Sequence, residues 1–329
     1  MRILITGGAG FIGLNFVNFC LKKKIKPIVI DKLSYASNKK EIIDLKKRKK
    51  IFFIKASISD NIIVSKILKN YKIDKIINFA AETHVDNSIK RPIDFVKENV
   101  LNFSYLLENV KKYLDKNKLK KFIFLHVSTD EVYGSLKIGE RSFSEKNKYY
   151  PNSPYAASKA ASDLLARAWY KTYDLPIIIT NCSNNYGIFQ NKEKLIPKII
   201  INAINQKKIP IYGNGKNIRD WIHVDDHCRA LWLLLKQGKV GETYNIGSNS
   251  EMNNLYLAKN ILKYLDKFYP STKIKTYSYL TNFVKDRKAH DFRYSVNSKK
   301  IKKLGWLPKN NFKKSIGKII NFYQNFFYN

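Results

Sequence analysis

The sequence predicts an α/β protein with a doubly wound parallel sheet and a smaller C-terminal region. Through the first half of the 329 residues, short β-rich runs alternate with helical patterns, and this alternation builds parallel βαβ units. A glycine-rich turn joins the first strand to the first helix, and polar motifs follow the fourth and fifth strands. Because ligands of such sheets bind at the carboxyl ends of the strands, these motifs indicate where a site lies.

The first strand and helix predict a dinucleotide site of the Rossmann type. Residues 2–6 form a short β-rich run that leads through a turn containing Gly7, Gly10 and Gly13 into an amphipathic helix at residues 12–23. The glycines let the backbone approach a pyrophosphate closely. The start of the helix supplies unpaired N–H groups and a positive dipole end for the same phosphates.

The second strand, at residues 26–30, ends at Asp31. An acidic side chain at this place accepts hydrogen bonds from the adenine ribose hydroxyls and repels a 2′-phosphate, so NAD is favoured over NADP. Further strands are predicted at residues 51–54, 75–79, 122–127 and 176–182, with helices near 61–71 and 93–116.

A helix that starts after the fifth strand predicts a general base. Ser153 is a suitable N-cap and Pro154 suits the first helical position, so Tyr155 and Lys159 share one helix face. A neighbouring ammonium favours the phenolate, so we expect Lys159 to lower the pKa of Tyr155 from about 10 towards a working pH. By itself this motif is weak in so Lys-rich a chain.

Two adjacent carboxylic acids, Asp130 and Glu131, follow Thr129 at the end of the fifth strand. In a water-poor cleft such a pair resists simultaneous ionisation, so one pKa rises and the pair supplies an acid and a base at the same pH. The alternative is that they are ordinary polar residues at a strand end.

Beyond the sixth strand the alternation weakens, and loops rich in Gly, Asn and Pro with short helical pieces predict a second region. We expect residues 1–180 to form the NAD-binding domain, rejoined by about 218–248, and residues 181–329 to form the second region. His223 and His227 have a spacing that metal sites use, but residues 221–231 read as a strand entering a buried helix, so the polar residues there are interpreted as caps. No metal site is predicted.

Composition excludes several other classes. The net charge of +35 would attract nucleic acid nonspecifically, yet the lysines are spread over every segment, so no specific nucleic-acid site is predicted. The three cysteines, Cys20, Cys182 and Cys228, suit neither a disulfide framework nor a zinc site. No leader and no apolar run of roughly 18 residues is found, so we expect a cytoplasmic protein without membrane spans.

These motifs together resemble those of the dTDP-glucose 4,6-dehydratases, which are extended short-chain dehydrogenases/reductases. The resemblance covers nearly the whole chain, and its motifs occur in the family's order at residues 6–13, 80–86, 128–134, 155–159, 182–187, 193–197, 219–221 and 244–247. The glycine and Tyr/Lys motifs mark only the superfamily. Residues 129–131, together with the later segments, are specific to the dehydratases.

The resemblance implies the site residues. NAD would contact the glycine turn, the ends of the second and fourth strands and the Tyr/Lys helix: Gly7, Gly10, Phe11, Ile12, Gly13, Asp31, Lys32, Ser57, Ala80, Ala81, Glu82, Tyr155, Lys159 and Asn185. The nucleotide sugar would contact Thr83, Thr129, Asn184, Lys194, Leu195, Tyr212, Arg219, Asn254 and Arg287, with Arg219 and Asn184 facing the diphosphate.

The sequence departs from the family at three places. Ser57 stands where members usually have an Asp that bonds the adenine amino group, so NAD affinity is expected to be reduced. Gly-Ile-Phe at 187–189 replaces Gly-Pro-Tyr, and Asp-Arg-Lys-Ala-His-Asp at 286–291 replaces Asp-Arg-Pro-Gly-His-Asp, which puts loop rigidity in doubt.

The reaction implied by the resemblance converts dTDP-glucose to dTDP-4-dehydro-6-deoxyglucose on one bound NAD, feeding the synthesis of deoxysugars such as rhamnose. Tyr155 would start the oxidation at carbon 4, with Lys159 lowering its pKa and Thr129 orienting the hydroxyl. Glu131 would take the carbon 5 proton and Asp130 would protonate the departing hydroxyl before hydride returns to carbon 6. The alternatives are a nucleotide-sugar 4-epimerase, a UDP-glucose 4,6-dehydratase and an NAD-binding scaffold protein. A homodimer formed through residues 93–116 and 155–173 is also expected.

Overall fold

A parallel sheet of seven strands forms the centre of the structure, a computed structural model that describes residues 1–117, 119 and 121–328. In chain order the strands are β1 (Ile3–Thr6), β2 (Ile28–Asp31), β3 (Phe52–Lys55), β4 (Lys75–Asn78), β5 (Ile123–Thr129), β6 (Ile177–Cys182), β7 (Asn184–Tyr186), β8 (Ile209–Tyr212), β9 (Ile218–His223), β10 (Thr243–Ile246), β11 (Glu251–Asn253), β12 (Thr281–Val284) and β13 (Arg293–Tyr294).

The α-helices are α1 (Phe11–Lys22), α2 (Lys39–Lys47), α3 (Asn61–Asn70), α4 (Val85–Lys90), α5 (Pro92–Val96), α6 (Asn102–Asn117), α7 (Pro154–Tyr173), α8 (Leu195–Ile204), α9 (Val224–Gln237), α10 (Asn254–Phe268), α11 (Lys299–Lys302) and α12 (Phe312–Tyr328). Turns of 3₁₀-helix lie at Asp130–Tyr133 and Tyr277–Leu280, and a π-helical turn lies at Lys97–Leu101.

The order of the large sheet is β10-β6-β5-β4-β1-β2-β3, and all of its strand pairs are parallel. β1 and β2 are buried along their whole length, as strands covered on both faces must be. Because β2 lies on one side of β1 and β4 on the other, the connections diverge at β1 and open a crevice at its carboxyl end. The α/β fold class and the doubly wound parallel sheet predicted from the sequence are thus confirmed.

Apolar residues on both faces of the sheet join it to the helices. On one face, Phe16 and Val17 of α1 and Leu231 of α9 share a buried cluster with the sheet residue Ile5. On the other face, α3, α6 and α7 pack against residues such as Phe124. These two layers fix the helix N-termini at the edge where the site motifs lie.

The segment predicted to run from strand to helix near residue 221 does so, as β9 continues directly into α9. The Nδ1 atom of His223 accepts a hydrogen bond from the Asp225 backbone N–H and caps the helix, as the sequence interpretation held. The chain then returns to the large sheet as its edge strand β10. The division of the chain at residue 180 stays a prediction.

The second region has more regular structure than the sequence pattern indicated. We expected short helical pieces, but α8, α10 and α12 contain 10, 15 and 17 residues. Lysines on the polar faces of α10 and α12 made their apolar positions hard to see in the sequence. The buried faces of all three helices meet in a separate apolar cluster that includes Ile200, Leu262 and Ile320, beside a four-stranded and a two-stranded sheet.

Residues 93–116, predicted as one helix, are three pieces instead. α5 is followed by a π-helical turn and then by α6. The buried Asn99 lies in the π-helical turn, where its Oδ1 accepts from the Glu82 backbone N–H at 2.8 Å and its Nδ2 donates to Ser158 Oγ at 2.9 Å. The π-helical turn thus places Asn99 between the Glu82 backbone and α7, and such turns often lie near functional sites. In the part of the chain that the structure describes, no helix meets the length and apolarity that a membrane span requires.

Candidate active site

Two adjoining cavities open at the carboxyl edge of the large sheet. The first has a volume of about 290 Å³ and is lined by every residue predicted to contact NAD, together with Thr129, Asp130 and Glu131. The second has a volume of about 180 Å³ and is lined by all of the residues predicted to bind the nucleotide sugar except Thr129. Both cavities are bordered by Thr83, Glu131, Asn184, Asn185, Gln190, Glu193 and Lys194. Glu131 therefore lies where a cofactor and a substrate would meet.

The glycine turn fits closely against the end of β4. Gly7 has φ +65°, and a Cβ there would lie 2.6 Å from the Ala80 backbone nitrogen. A Cβ on Gly13 would collide with the Gly7 carbonyl oxygen. α1 begins next to Gly10, its N-cap, so its first N–H groups face the cavity and suit the pyrophosphate of a dinucleotide.

Asp31 and Lys32, predicted to contact NAD, form hydrogen bonds and ion pairs within the protein. The carboxylate of Asp31 accepts hydrogen bonds from the backbone N–H groups of Ala9 at 2.9 Å and Leu33 at 2.7 Å, and it keeps acceptor capacity for ribose hydroxyls. Lys32 forms ion pairs with Glu98 at 2.9 Å and with Glu82 at 3.5 Å. These contacts orient the side chains of Asp31 and Lys32 at the edge of the first cavity.

α7 has the N-terminus that the sequence predicted. Ser153 Oγ accepts from the Ala156 backbone N–H at 3.1 Å, and Pro154 occupies the first turn. Tyr155 and Lys159 are both buried, and Lys159 Nζ donates to the Val127 carbonyl oxygen at 3.0 Å. The helix thus holds both side chains against the end of β5.

The expected effect of Lys159 on the Tyr155 pKa is not what the structure gives. Burial raises the pKa of Tyr155 well above its ordinary value, and the nearby charge of Glu131 raises it further. A hydrogen bond with Thr129 acts in the opposite direction. The prediction considered only the ammonium at i+4, whereas loss of hydration in a buried cleft outweighs it.

The two neighbouring carboxyl groups have different surroundings. Burial and the charge of Glu131 raise the pKa of Asp130 well above its usual value, which favours its protonated form. Burial also raises the pKa of Glu131, but Arg219, Lys194 and Arg287 lower it. Thr129 Oγ1 donates to Asp130 Oδ1 at 3.4 Å and accepts from the Glu131 backbone N–H at 3.3 Å, which fixes the turn that carries both acids.

Cations from separate segments line the second cavity. The Arg219 guanidinium donates hydrogen bonds to the carbonyl oxygens of Ile218, Phe292 and Asp291, at 2.7, 3.2 and 2.9 Å. It also lies over the Tyr294 ring, 4.1 Å from the ring centroid. Its orientation is therefore set by the backbone, and fewer of its donors remain for a diphosphate than the sequence suggested.

Arg287 lies 3.5 Å from the Asp86 carboxylate and over the Tyr212 ring, and the Tyr212 hydroxyl donates to Asp86 at 3.3 Å. Lys194 Nζ donates to the Thr83 carbonyl oxygen at 2.8 Å. Leu195, the first residue of α8, and Asn254, the first residue of α10, border the same space.

Some site residues were missed by the sequence reasoning. Asp86 and Glu193 lie inside motifs quoted for the resemblance but were given no role, whereas Gln190 has no sequence signal. His227, noted only for its spacing, is buried with its Nδ1 2.9 Å from Asn185 Oδ1, so it orients a residue of the first cavity. In the described ranges no group of three or more His, Cys, Asp or Glu could hold a metal.

The departures from the family pattern are visible in the structure. Ser57 borders the cavity, but its Oγ is 2.8 Å from Ser59 Oγ. Phe189 and Ala289 have φ +69° and +49°, in the left-handed region that favours glycine. Asp130 Oδ2 and Asn184 Oδ1 are buried without a hydrogen-bond partner among the described residues, which fits groups that meet a bound ligand.

Comparison with known proteins gives a consistent set of relatives. A family model described as GDP-mannose 4,6 dehydratase matches residues 4–319. The chain is 45% identical over 330 residues to a dTDP-glucose 4,6-dehydratase of Haemophilus influenzae, with 98% of each chain covered. It is 43% identical over 340 residues to a dTDP-glucose 4,6-dehydratase of Escherichia coli, with 99% of this chain and 94% of the other covered.

Solved structures show the same similarity. The structure of DesIV, a dTDP-glucose 4,6-dehydratase from Streptomyces venezuelae with NAD bound, gives a TM-score of 0.89 at 38% identity, covering 99% of this chain and 97% of that chain. A Bacillus anthracis dTDP-glucose 4,6-dehydratase in complex with NAD gives 0.86 at 40% identity, with the same coverage. A UDP-glucose 4-epimerase from Thermotoga maritima gives 0.86 at 24% identity, covering 99% of this chain and 100% of that one, and at this identity the similarity concerns the fold alone.

Proposed function

This chain belongs to the dTDP-glucose 4,6-dehydratase family, and on that premise we propose that it catalyses the NAD-dependent dehydration of dTDP-glucose to dTDP-4-dehydro-6-deoxyglucose. The observation that carries the proposal is that Asp130, Glu131 and Tyr155 line the first cavity together, with Glu131 also bordering the second. A protonated and a more acidic carboxyl group at this point supply the acid and base that elimination of water requires.

The first cavity suits NAD. The glycine turn and the start of α1 would hold the pyrophosphate, Asp31 would bind the adenine ribose, and Tyr155 and Lys159 would bind the ribose next to the nicotinamide. Bound there, NAD would supply a hydride acceptor for carbon 4, a hydride donor for carbon 6 and the positive charge of the oxidised nicotinamide ring.

In the oxidation, Tyr155 takes the proton of the carbon 4 hydroxyl. Thr129, which hydrogen-bonds Tyr155 and lowers its pKa, orients the phenol and the substrate hydroxyl. Lys159, held by the Val127 carbonyl, adds a positive charge that favours the phenolate. The depth of the cleft excludes water from this proton transfer.

In the elimination, Glu131 removes the carbon 5 proton and Asp130 gives its proton to the hydroxyl leaving carbon 6. Arg219, Lys194 and Arg287 oppose the rise that burial causes in the pKa of Glu131, while burial and the charge of Glu131 raise the pKa of Asp130 well above its usual value. The environments of the two groups therefore match the roles of base and acid, in that order.

An epimerase activity is the main competitor, since such enzymes share the fold and the Tyr/Lys pair. Epimerisation has no step in which a pair of carboxyl groups removes a proton and protonates a hydroxyl. The carboxyl pair at the junction of the cavities therefore favours dehydration.

The product distinguishes these activities. We expect incubation with dTDP-glucose to give a 4-keto sugar that absorbs in base, and incubation with UDP-glucose to give much less of it. Equal turnover of UDP-glucose would make the protein a UDP-glucose 4,6-dehydratase. Formation of a galactose epimer without keto product would contradict dehydration.

A homodimer is proposed from an exposed apolar surface on two packed helical segments. Ile93, Val96, Leu101 and Tyr105 are exposed along α5 to α6, and Leu164 is 58% exposed on α7. We expect Leu164→Lys to convert a dimer to monomers in sedimentation velocity. Ile138→Lys, at an exposed residue outside this surface, should leave the dimer unchanged; a monomeric wild-type chain would refute the proposal.

A cytoplasmic location is proposed on the state of the cysteines. Cys20, Cys182 and Cys228 are free and buried, which suits a reducing compartment. Fractionation of cells that express the chain should recover the activity with the cytosolic fraction, and recovery in an exported fraction would contradict this.

A further inference from the structure

α7 carries a third buried ionisable residue that has no role in the proposed chemistry. Asp163 follows Lys159 by one helical turn, as Lys159 follows Tyr155, so the three side chains lie on one helix face. Asp163 is 1% exposed. Its Oδ2 accepts from Asn181 Nδ2 at 2.9 Å, and its Oδ1 lies 3.3 Å from His126 Nε2.

The neighbouring His126 is neutral. Thr6 Oγ1 donates to Asn78 Oδ1, so the Asn78 amide turns its Nδ2 donor towards His126 Nδ1, 3.1 Å away. His126 Nδ1 must accept this bond, which leaves the ring proton on Nε2. Burial and the charge of Lys159 lower the pKa of His126 to about 4, so the imidazole does not neutralise Asp163.

Lys159 is a buried cation with little solvation. It is 3% exposed, and its hydrogen bond goes to the neutral carbonyl of Val127. A buried ammonium is costly unless a negative charge compensates it. Burial lowers the pKa of Lys159, and the charge of Asp163 is the largest effect in the opposite direction.

Other titratable groups face this pair from two neighbouring strands and from the segment that precedes α7. His126 lies on β5, Cys182 on β6, and Tyr133 and Tyr149 on the segment between β5 and α7. Burial raises the pKa of Cys182 to about 12 and raises those of both tyrosines, so all three are neutral. Asp130 and Glu131 act on Tyr155 instead.

We propose that Asp163 is a positioning residue, the buried counter-charge that keeps Lys159 in its cationic form beside Tyr155. The inference rests on the proposed function, because it concerns the oxidation at carbon 4. A neutral Lys159 would no longer favour the Tyr155 phenolate. The oxidation rate therefore falls as pH rises through the Lys159 pKa, and Asp163 sets how high that pH is.

The first test is the pH dependence of NADH formation in a single turnover. Asp163→Asn keeps the shape and an acceptor for Asn181 but removes the charge. We expect the alkaline limb of the rate profile to move down by about 1–3 pH units, the range over which one opposite charge shifts a pKa. Ser162→Ala, a buried uncharged neighbour on α7 whose hydroxyl bonds Asn99 O, should leave the limb in place.

An alkaline limb that stays in place in Asp163→Asn would refute the proposal, whatever the rate. A shift of the acid limb alone would refute it too, because Lys159 would then have kept its charge without Asp163.

The second test uses folding and needs no substrate, so it stands even if the reaction is another one. Where the folded Lys159 has lost a proton that the unfolded chain still binds, stability rises with pH. In Asp163→Asn the folded Lys159 loses its proton at a lower pH, so the pH range in which stability rises with pH begins lower. The loss of Tm relative to wild type should therefore shrink between pH 7 and pH 9.5. A constant difference in Tm would contradict the proposal.

Two further results decide the case of a variant that does not fold at pH 7. If uncompensated charge is the cause, Asp163→Asn should fold at pH 9.5, and adding Lys159→Met should restore folding at pH 7. A chain that stays unfolded in both conditions would show that Asp163 acts through packing alone and would overturn the inference.

Discussion

Asp130 and Glu131 are neighbours in the chain, but their surroundings give them different proton affinities. Asp130 is enclosed beside two other carboxylates, Glu131 and Asp220, which together with burial raise its pKa. Burial raises the pKa of Glu131 too, but the cations of the second cavity oppose that rise. A proton shared by the pair therefore favours Asp130.

Substitution of each acid should interrupt the reaction at a different place. Glu131→Gln removes the base, so oxidation at carbon 4 should survive while loss of the carbon 5 proton slows by about 10²–10⁴-fold, and enzyme-bound NADH should accumulate. Asp130→Asn removes only the proton for the leaving hydroxyl, so solvent deuterium should still enter carbon 5.

Mass spectrometry of sugar recovered from deuterated buffer reads both outcomes. If Glu131→Gln exchanges carbon 5 freely and Asp130→Asn does not, the roles are reversed. If both variants turn over normally, the carboxyl pair has no part in the reaction.

We expect Ser57 to limit the affinity for NAD. Its hydroxyl is tied to Ser59, so it offers the adenine amino group at most a weak acceptor. We expect Ser57→Asp to tighten NAD binding by roughly 3–10-fold, since one added hydrogen bond contributes about 0.5–1.5 kcal/mol. Titration measures this, with Ser59→Ala as a control that frees Ser57 without adding a charge. Unchanged or weaker affinity for Ser57→Asp would count against the assignment.

Single residues were predictable where local chemistry decides their place. Asp31, Tyr155 and Lys159 border the cavity in which their motifs predicted them. The pKa of Tyr155 was not predictable, because it depends on burial and on Glu131, which belongs to another segment of the chain but lies nearby in the fold. Nor could the sequence show that His227 orients Asn185, since that contact joins separate segments.

Among the elements, α7 is the one on which the site depends most. Its cap, Ser153, fixes where the helix starts and hence where Tyr155 and Lys159 point. Ser153→Ala should lower the free energy of unfolding by about 0.5–2 kcal/mol, because one backbone N–H loses its acceptor. Urea unfolding measures this. Ser153→Thr should retain most of the stability, and an equally large loss in both variants would indicate packing rather than capping.

The break between α5 and α6 shows what helical periodicity misses. The pattern of residues 93–116 suits one helix, and nothing local requires a π-helical turn. The turn forms because Asn99 reaches the Glu82 backbone and Ser158 on α7, which are tertiary contacts. The parallel sheet was predictable because the alternation of strands and helices is a local signal. The long α10 and α12 were not predicted, because the lysines on their surfaces obscure the apolar periodicity.

At the scale of the whole molecule, the large sheet and the second region place two cavities side by side, with the chemical groups at their junction. The net charge of +35 is spread over the chain and has no part in this arrangement. The arrangement suits a reaction in which one cofactor removes hydride from a sugar and returns it to the same sugar before release.

The fate of that hydride tests this account most directly. When dTDP-glucose deuterated at carbon 4 is converted by the wild-type protein, we predict that the deuterium is found on carbon 6 of the 4-keto product by mass spectrometry and NMR. Deuterium that remains on carbon 4 of an epimerised sugar, or a dehydrated product that has lost the label to solvent, would contradict it.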